Sequence, residues 1–393
     1  MKGLNVAFFG GSHVHSKISL ECKKLGANYY LLDKSKDCFA NFDKNFVNID
    51  FNNRKKVINF IKKKKINYLY LSQSDAGILT LGYLNTKLRL PGTSFKVAKI
   101  LTDKFKIRKI LKKNNFYQPK FFLLNKDLKK NIFKDKKNYL LKPLDSSGSR
   151  GIYEVKNYKS LHTKIKKSLK FSKKKKVILE EKIKGIEFGA QTFSINGNCE
   201  NIVLHEDLMS KNNSKIPVGH IFPFKILANF NEVKEIKKTI KNAVNILGVK
   251  NGPCNVDCIF TEDKKVIILE VSPRLGATCL PEMLKIYTGI DWDLNTIKLH
   301  NSLRVKKIKE KKNIHVISKI FESSRTGYVN KITTGKCPQN SKVEFLIKKD
   351  KKIFKFTDGT KFFGQIVAYS NNRDKLIDNI LKFEKTIKLI FKK

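Results

Sequence analysis

Lys142 closes an apolar stretch, Tyr139-Leu140-Leu141, and leads into Pro143-Leu144-Asp145-Ser146-Ser147-Gly148-Ser149-Arg150-Gly151. Glycines permit unusual backbone angles, serine hydroxyls add donors and the lysine brings a mobile positive charge, which together suit a phosphate chain. No Gly-Lys-Ser/Thr follows, so this is not a Walker A loop. Further on, Glu180-Glu181-Lys182-Ile183-Lys184-Gly185-Ile186-Glu187 places acidic groups on either side of an apolar residue and a glycine, which suits adenine and ribose. Asp257 lies in the apolar run Val256-Asp257-Cys258-Ile259-Phe260, and Glu270 ends Val266-Ile267-Ile268-Leu269. Carboxylates buried without a cationic neighbour are costly, and a hard divalent cation shared with phosphates removes that cost. Arg274, after Pro273, offers a bidentate donor set to a carboxylate or a phosphoryl group. In this order the segments describe a nucleotide-triphosphate site built from two sheets.

The elements that must position these residues can be read coarsely. Residues 4–9 form a strand and Gly10-Gly11-Ser12-His13 a turn, followed by a helix from Ser16 to Leu25 and a second strand from Asn28 to Asp33. A helix at Ile58–Lys65 and a strand at Tyr68–Leu71 continue the alternation, which predicts a parallel α/β unit. Gly-Gly-Ser-His lacks the G-x-G-x-x-G spacing, so the turn either touches substrate or simply reverses the chain. One helix is expected from Ser94 to Lys113, then strands at Lys120–Leu124, Tyr139–Leu141, Val177–Glu181 and Glu187–Ile195. The stripe Val233, Ile236, Ile240, Val244 and Leu247 predicts a helix over Glu232–Leu247 facing a core. Gly252–Phe260 and Lys265–Val271 read as a hairpin. The tail, about 301–393, reads as a smaller α+β unit.

At 393 residues the chain suggests about two to four domains of ~100–200 residues. No apolar run reaches the ~18 residues of a membrane span, and the N-terminus lacks the features of a secretory signal. The expectation is a cytoplasmic protein without membrane contact. The formal charge of +48 is nearly all lysine, spread along the whole chain. Lacking the arginine–aromatic interleaving of a base-reading surface, it predicts no specific nucleic-acid partner, only attraction for anions. Seven cysteines are scattered, and Cys254 and Cys258, four apart, lack the further partners of a zinc site.

The segment order resembles the ATP-grasp superfamily. There a Lys-Pro-x-x-Ser-Ser-Gly-Ser-Arg-Gly loop folds over the phosphates, and an upstream Asp-Lys helix adds a second lysine, a place taken here by Asp103-Lys104 and then Arg108. The resemblance implies ATP and Mg²⁺ (or Mn²⁺) as cofactors. It implies nucleotide contacts from Lys104, Lys142, Ser146, Ser147, Gly148, Ser149, Gly151, Glu180, Glu181 by its backbone, Ile183 and Glu187. Metal ligands would be Asp257, Glu270 and Ser272, the last standing where the family usually has asparagine, and the catalytic residues Arg274 and Lys142. The implied fold is α/β and α+β: a parallel pre-ATP-grasp domain over 1–93, an ATP-grasp domain over 94–300 with a lid at about 137–190, and a C-terminal α+β domain over 301–393.

The implied reaction is activation of a small carboxylate as an acylphosphate, then capture by an amine (or a thiol) with release of ADP and phosphate. Leu275-Gly276 through Gly289-Ile290-Asp291 looks like the carboxylate–amine and amino-acid ligase branch, related to the biotin-carboxylase and carbamoyl-phosphate-synthase groups. A bicarbonate-dependent carboxylase and a non-catalytic polyanion-binding protein are the alternatives. His205, Glu206 and His220 are expected near the substrate, and a homodimer is admitted.

Overall fold

In the computed structural model, which describes residues 1–125, 138–210, 216–225, 229–311, 313–347 and 352–392, the chain begins with the strand Asn5–Phe9. Val6, Ala7, Phe8 and Phe9 are all fully buried, as a parallel strand covered on both faces requires. It lies inside a four-stranded parallel sheet in the order Phe46–Asn48, Asn28–Asp33, Asn5–Phe9, Tyr68–Tyr70. The order reverses between the last two strands. A crevice therefore opens at their carboxyl ends, flanked by the turns Gly10–Ser12 and Leu71–Asp75.

Helices His13–Lys24, Arg54–Lys63 and Ile78–Leu88 accompany this sheet. The single helix expected from Ser94 to Lys113 is two, Phe95–Leu101 and Lys104–Lys113. The chain breaks at Thr102-Asp103, where the Asp103 carboxylate accepts the Lys106 N–H and restarts the helix as its N-cap.

A small antiparallel sheet follows, ordered Phe121–Leu124, Val177–Glu181, Tyr139–Pro143, Tyr153–Val155 and packed on the helix Tyr158–Leu169. The lid expected from about 137 begins outside the described residues. An eight-stranded sheet forms the centre, ordered Val266–Ser272, Gly252–Thr261, Gly185–Ile195, Asn198–Met209, Pro217–Phe222, His315–Glu322, Phe362–Ser370, Ser341–Phe345. Its last three strands belong to the tail, so residues beyond 301 extend the sheet that carries Asp257 and Glu270.

Alternation gives the central sheet two unlike faces. Phe188, Ala190, Val256, Cys258 and Ile268 turn back onto Ile236, Ile240 and Val244 of the helix Phe230–Ile246, forming one core. The front face carries polar residues at the intervening positions. Among the described residues no helix is long and apolar enough to cross a membrane.

Candidate active site

Lys142 is the fourth residue of the strand Tyr139–Pro143 in the small sheet, and its Nζ lies 2.7 Å from Glu180 on the adjacent strand. The other Glu180 oxygen is 2.7 Å from Nε of Arg108. Both Glu180 and Arg108 are fully buried. Burial opposes the charge on Glu180, yet Arg108 and Lys142 outweigh it and hold the carboxyl at about 2. Arg108 also donates to the Ile268 carbonyl at 2.8 Å, tying the small sheet to the central one. Sequence reasoning assigned Arg108 no role. Its placement four residues after Lys104, on the same helix face, was the available signal.

The loop after Lys142 takes the left-handed conformation at Gly148, Ser149 and Gly151 (φ +67°, +56° and +75°). At Gly151 a Cβ would also come within 2.6 Å of the Phe171 ring. Ser146 and Ser147 are half-buried, and Gly148 is exposed at the tip. Lys104 reaches across: its Nζ donates to the Ser146 carbonyl at 2.7 Å and lies 3.1 Å from Glu270. One lysine thus touches both the loop and the carboxylate pair. Asp145 anchors the loop base by accepting from Ser172 Oγ at 2.6 Å.

Glu181, half-buried, commits its N–H to the Lys120 carbonyl; Ile183 is half-buried and Glu187 exposed beyond the bend at Gly185. The structure therefore brings Lys104, Lys142, Ser146 and Glu180 together, with Ile183 and Glu187 at the open edge between the two sheets.

Asp257 and Glu270 are direct cross-strand partners, with a bulge immediately beyond Asp257. Burial, and then the facing Glu270, push the Asp257 carboxyl up to about 7. Asn255 Nδ2 donates to Asp257 Oδ1 at 2.8 Å. Two opposed carboxylates, with Lys104 against Glu270, are a donor set that fits Mg²⁺ with phosphate oxygens. Ser272 is buried two pairs along, facing Asn255, and its hydroxyl helps hold Asp75 charged.

Arg274 is gripped by Asp75 from the N-terminal unit, Nε to Oδ1 at 2.9 Å and Nη2 to Oδ2 at 2.8 Å, while Nη1 donates to the Leu275 carbonyl. Burial opposes Asp75's charge, but Arg274 prevails and its carboxyl stays low. The turn carrying Asp75 is braced in turn: Ser72 Oγ donates to Asp293 at 2.9 Å, and the Ser72 N–H donates to His15 Nε2 at 3.3 Å. The Gly-Gly-Ser-His turn joins this brace, because Ser12 Oγ lies 2.9 Å from His15 Nδ1.

Of the three residues expected near substrate, His205 and His220 share Asp207, while Glu206 points to the opposite face and pairs with Arg373. The strand period of two separates Glu206 from its neighbours. Burial lowers the pKa of His205, and the two imidazoles hold Asp207 well below the usual carboxylate range despite its burial. A groove of about 790 Å³ behind the central sheet, lined by Phe116, Tyr117, Glu235 and Ile236, includes none of these residues.

Residues 101–278 match the protein family described as ATP-grasp domain. The chain is 27% identical over 244 residues to the carbamoyl phosphate synthase large chain of Thermoanaerobacter sp. (strain X514), covering 60% of this chain and 22% of that protein. It thus spans about a fifth of the length of the curated relatives it matches. Among solved structures it superposes on phosphoribosylglycinamide synthetase from Anaerococcus prevotii with a TM-score of 0.79, at 24% identity over 99% of this chain and 100% of the other. For the L-amino acid ligase from Bacillus licheniformis the TM-score is 0.82, at 19% identity over 100% of both chains. For the biotin carboxylase domain of Hydrogenobacter thermophilus 2-oxoglutarate carboxylase, in complex with MgADP and bicarbonate, it is 0.82 at 14% identity, over 99% and 91%. At such identities these likenesses speak for the fold, while the match over 101–278 covers Lys104, the loop after Lys142, Asp257, Glu270 and Arg274. The chain therefore carries an ATP-grasp domain.

Proposed function

We propose that this chain is an ADP-forming ligase that activates a small-molecule carboxylate with MgATP and passes the acyl group to an amine. The observation that carries the reading is Lys104, which links the phosphate loop to Glu270 opposite Asp257. Lys142 and Lys104 would bind the phosphates; Asp257 and Glu270 would hold Mg²⁺. When bound, the cation supplies charge neutralisation across the phosphates. Glu180 keeps Lys142 and Arg108 in place before nucleotide arrives. The substrate carboxylate attacks the γ-phosphoryl group in line, and fixed positive charge around the phosphoryl oxygens stabilises the transfer. Asp75 orients Arg274 toward the same centre.

The crevice at the carboxyl ends of Asn5–Phe9 and Tyr68–Tyr70 opens beside Arg274 and is the natural seat for the acid. The likeness to carbamoyl phosphate synthase favours a second reading, with bicarbonate as the activated acid. The test is ADP release with MgATP and a pool of organic and amino acids, with and without amines, bicarbonate as a separate arm, and Lys142→Ala as control. Release that requires both an acid and an amine supports the ligase; release with bicarbonate alone supports the second reading. Silence in both arms would sink the two together.

A further inference from the structure

The front face of the central sheet holds one polar row whose purpose nucleotide and metal binding leave unexplained. Glu270, Asp257, Gly189 and His205 are successive cross-strand partners, and Asp207 pairs directly with His220 on the next strand. These residues therefore share the face that carries the metal carboxylates. Gly189 makes room for it: a Cβ there would stand 2.2 Å from Cε1 of His205.

Hydrogen bonds fix the protons along this row. The Gly276 N–H donates to Gln191 Oε1 at 2.9 Å, which sets the orientation of the amide. The Gln191 amide nitrogen then donates to Asn255 Oδ1 at 2.6 Å and to His205 Nε2 at 3.3 Å. His205 in turn gives its Nδ1 proton to Asp207 Oδ1 at 3.1 Å, and Asp207 accepts a second proton from His220 Nδ1 at 2.8 Å. Every polar atom of the His205 ring is thereby used. His220 differs, because its Nδ1–H is held by Asp207 while Nε2, a lone-pair acceptor in this tautomer, has no protein partner among the described residues.

The backbone ties the strand that carries His220 to the turn that follows Arg274. The His220 N–H donates to Ser318 Oγ, whose own proton goes to the carbonyl of Thr278, four residues beyond Arg274. We propose that His220 is the general base of the ligation step, taking a proton from the incoming amine at Nε2, with Asp207 and His205 as its positioning residues. The proposal rests on the ligase reading above and names the acceptor class as an amine. The incoming ammonium gives one proton to Nε2, and the resulting imidazolium is stabilised by Asp207 before handing that proton to water. The freed amine nitrogen attacks the acylphosphate carbon and the C–N bond forms. The C–O bond to phosphate breaks, its electron pair leaving with phosphate, which takes the nitrogen's remaining surplus proton.

The ligand atoms of His205, Asp207 and His220 also lie within 4.8 Å of one another, the spacing of an open metal site. The 2.8 and 3.1 Å separations are those of N–H···O bonds, so Asp207 holds both imidazoles by hydrogen bonds.

The experiment uses hydroxylamine, a nucleophile largely unprotonated at neutral pH that needs no base. Full-length protein is given MgATP, the twenty common L-amino acids and either hydroxylamine or no further amine, and hydroxamates and dipeptides are quantified by mass spectrometry. His220→Gln is expected to lower kcat for dipeptide formation by about 100-fold or more, with hydroxamate formation within a few-fold of wild type and KM for ATP unmoved. Asp207→Asn should show the same split to a smaller degree, and serves where His220→Gln does not fold. Equal loss in both products, or in neither, overturns the base and leaves the ligase standing. Stoichiometric zinc in the purified protein, whose removal abolishes both products, overturns it in favour of a metal centre. Absence of hydroxamate from the wild-type protein would overturn the ligase reading and the base with it.

Discussion

Replacing Glu180 by glutamine should be among the most damaging single changes in the small sheet. Glu180 sits between the guanidinium of Arg108 and the ammonium of Lys142, at 2.7 Å from each, and both Glu180 and Arg108 are sealed from solvent. A carboxyl lowered from 4.5 to about 2 corresponds to about 3 kcal/mol of preference for its charged form. Removing one partner of a buried pair costs about 3–5 kcal/mol, because the other charge stays buried without compensation. The two routes agree, and Glu180→Gln is expected to lose about 3 kcal/mol at neutral pH. The sign with pH follows from the lowered carboxyl. Its contribution is fully present above about 4.5 and is lost as pH falls toward about 2. Urea denaturation of both proteins at a series of pH values, followed by far-UV circular dichroism, measures the difference. A gap that stays below about 1 kcal/mol at pH 7, or that widens on acidification, would refute the argument.

Three further outcomes are expected. Gly189→Ala pushes the His205 ring out of the polar row, and the overpacking should cost about 1–3 kcal/mol in a denaturation assay. Asp257→Asn removes half of the opposed carboxylate pair, and the extra thermal stabilisation by MgATP over ATP with EDTA should disappear in a melting assay. Asp75→Ala frees Arg274 from its bidentate partner, and loss of those charge-assisted bonds should cost about 1.5–3 kcal/mol, read as a lowered denaturation midpoint.

What the sequence made legible was local. The hairpin of Gly252–Thr261 and Val266–Ser272 could be read because its strands are nearly continuous apolar runs around a short turn, each broken by one carboxylate. The helix Phe230–Ile246 announced itself through its stripe. The helix Ile78–Leu88 did not: its apolar residues are not confined to a stripe, so no period marked it. The break at Asp103 is hidden in the sequence, where the capping aspartate leads into a lysine-rich run.

In the site, residue types in serial order pointed to nucleotide and metal. Contacts between distant segments could not be read. Asp75 meets Arg274 across nearly two hundred residues, and Arg108 meets Ile268 across 160. His205 and Asp207, two apart on one strand, were a legible pair, whereas coupling His205 with Glu206 ignored the strand's alternation.

The central claim, that a substrate carboxylate attacks the γ-phosphoryl group, is tested most directly by isotope transfer. Amino acids labelled with ¹⁸O in the carboxyl group are incubated with protein and MgATP, and the released phosphate is analysed by mass spectrometry. An acylphosphate path predicts one ¹⁸O in each phosphate formed in step with amide product. Phosphate released without label, while ADP accumulates, would mean that water and not the carboxylate attacks, and would contradict the account.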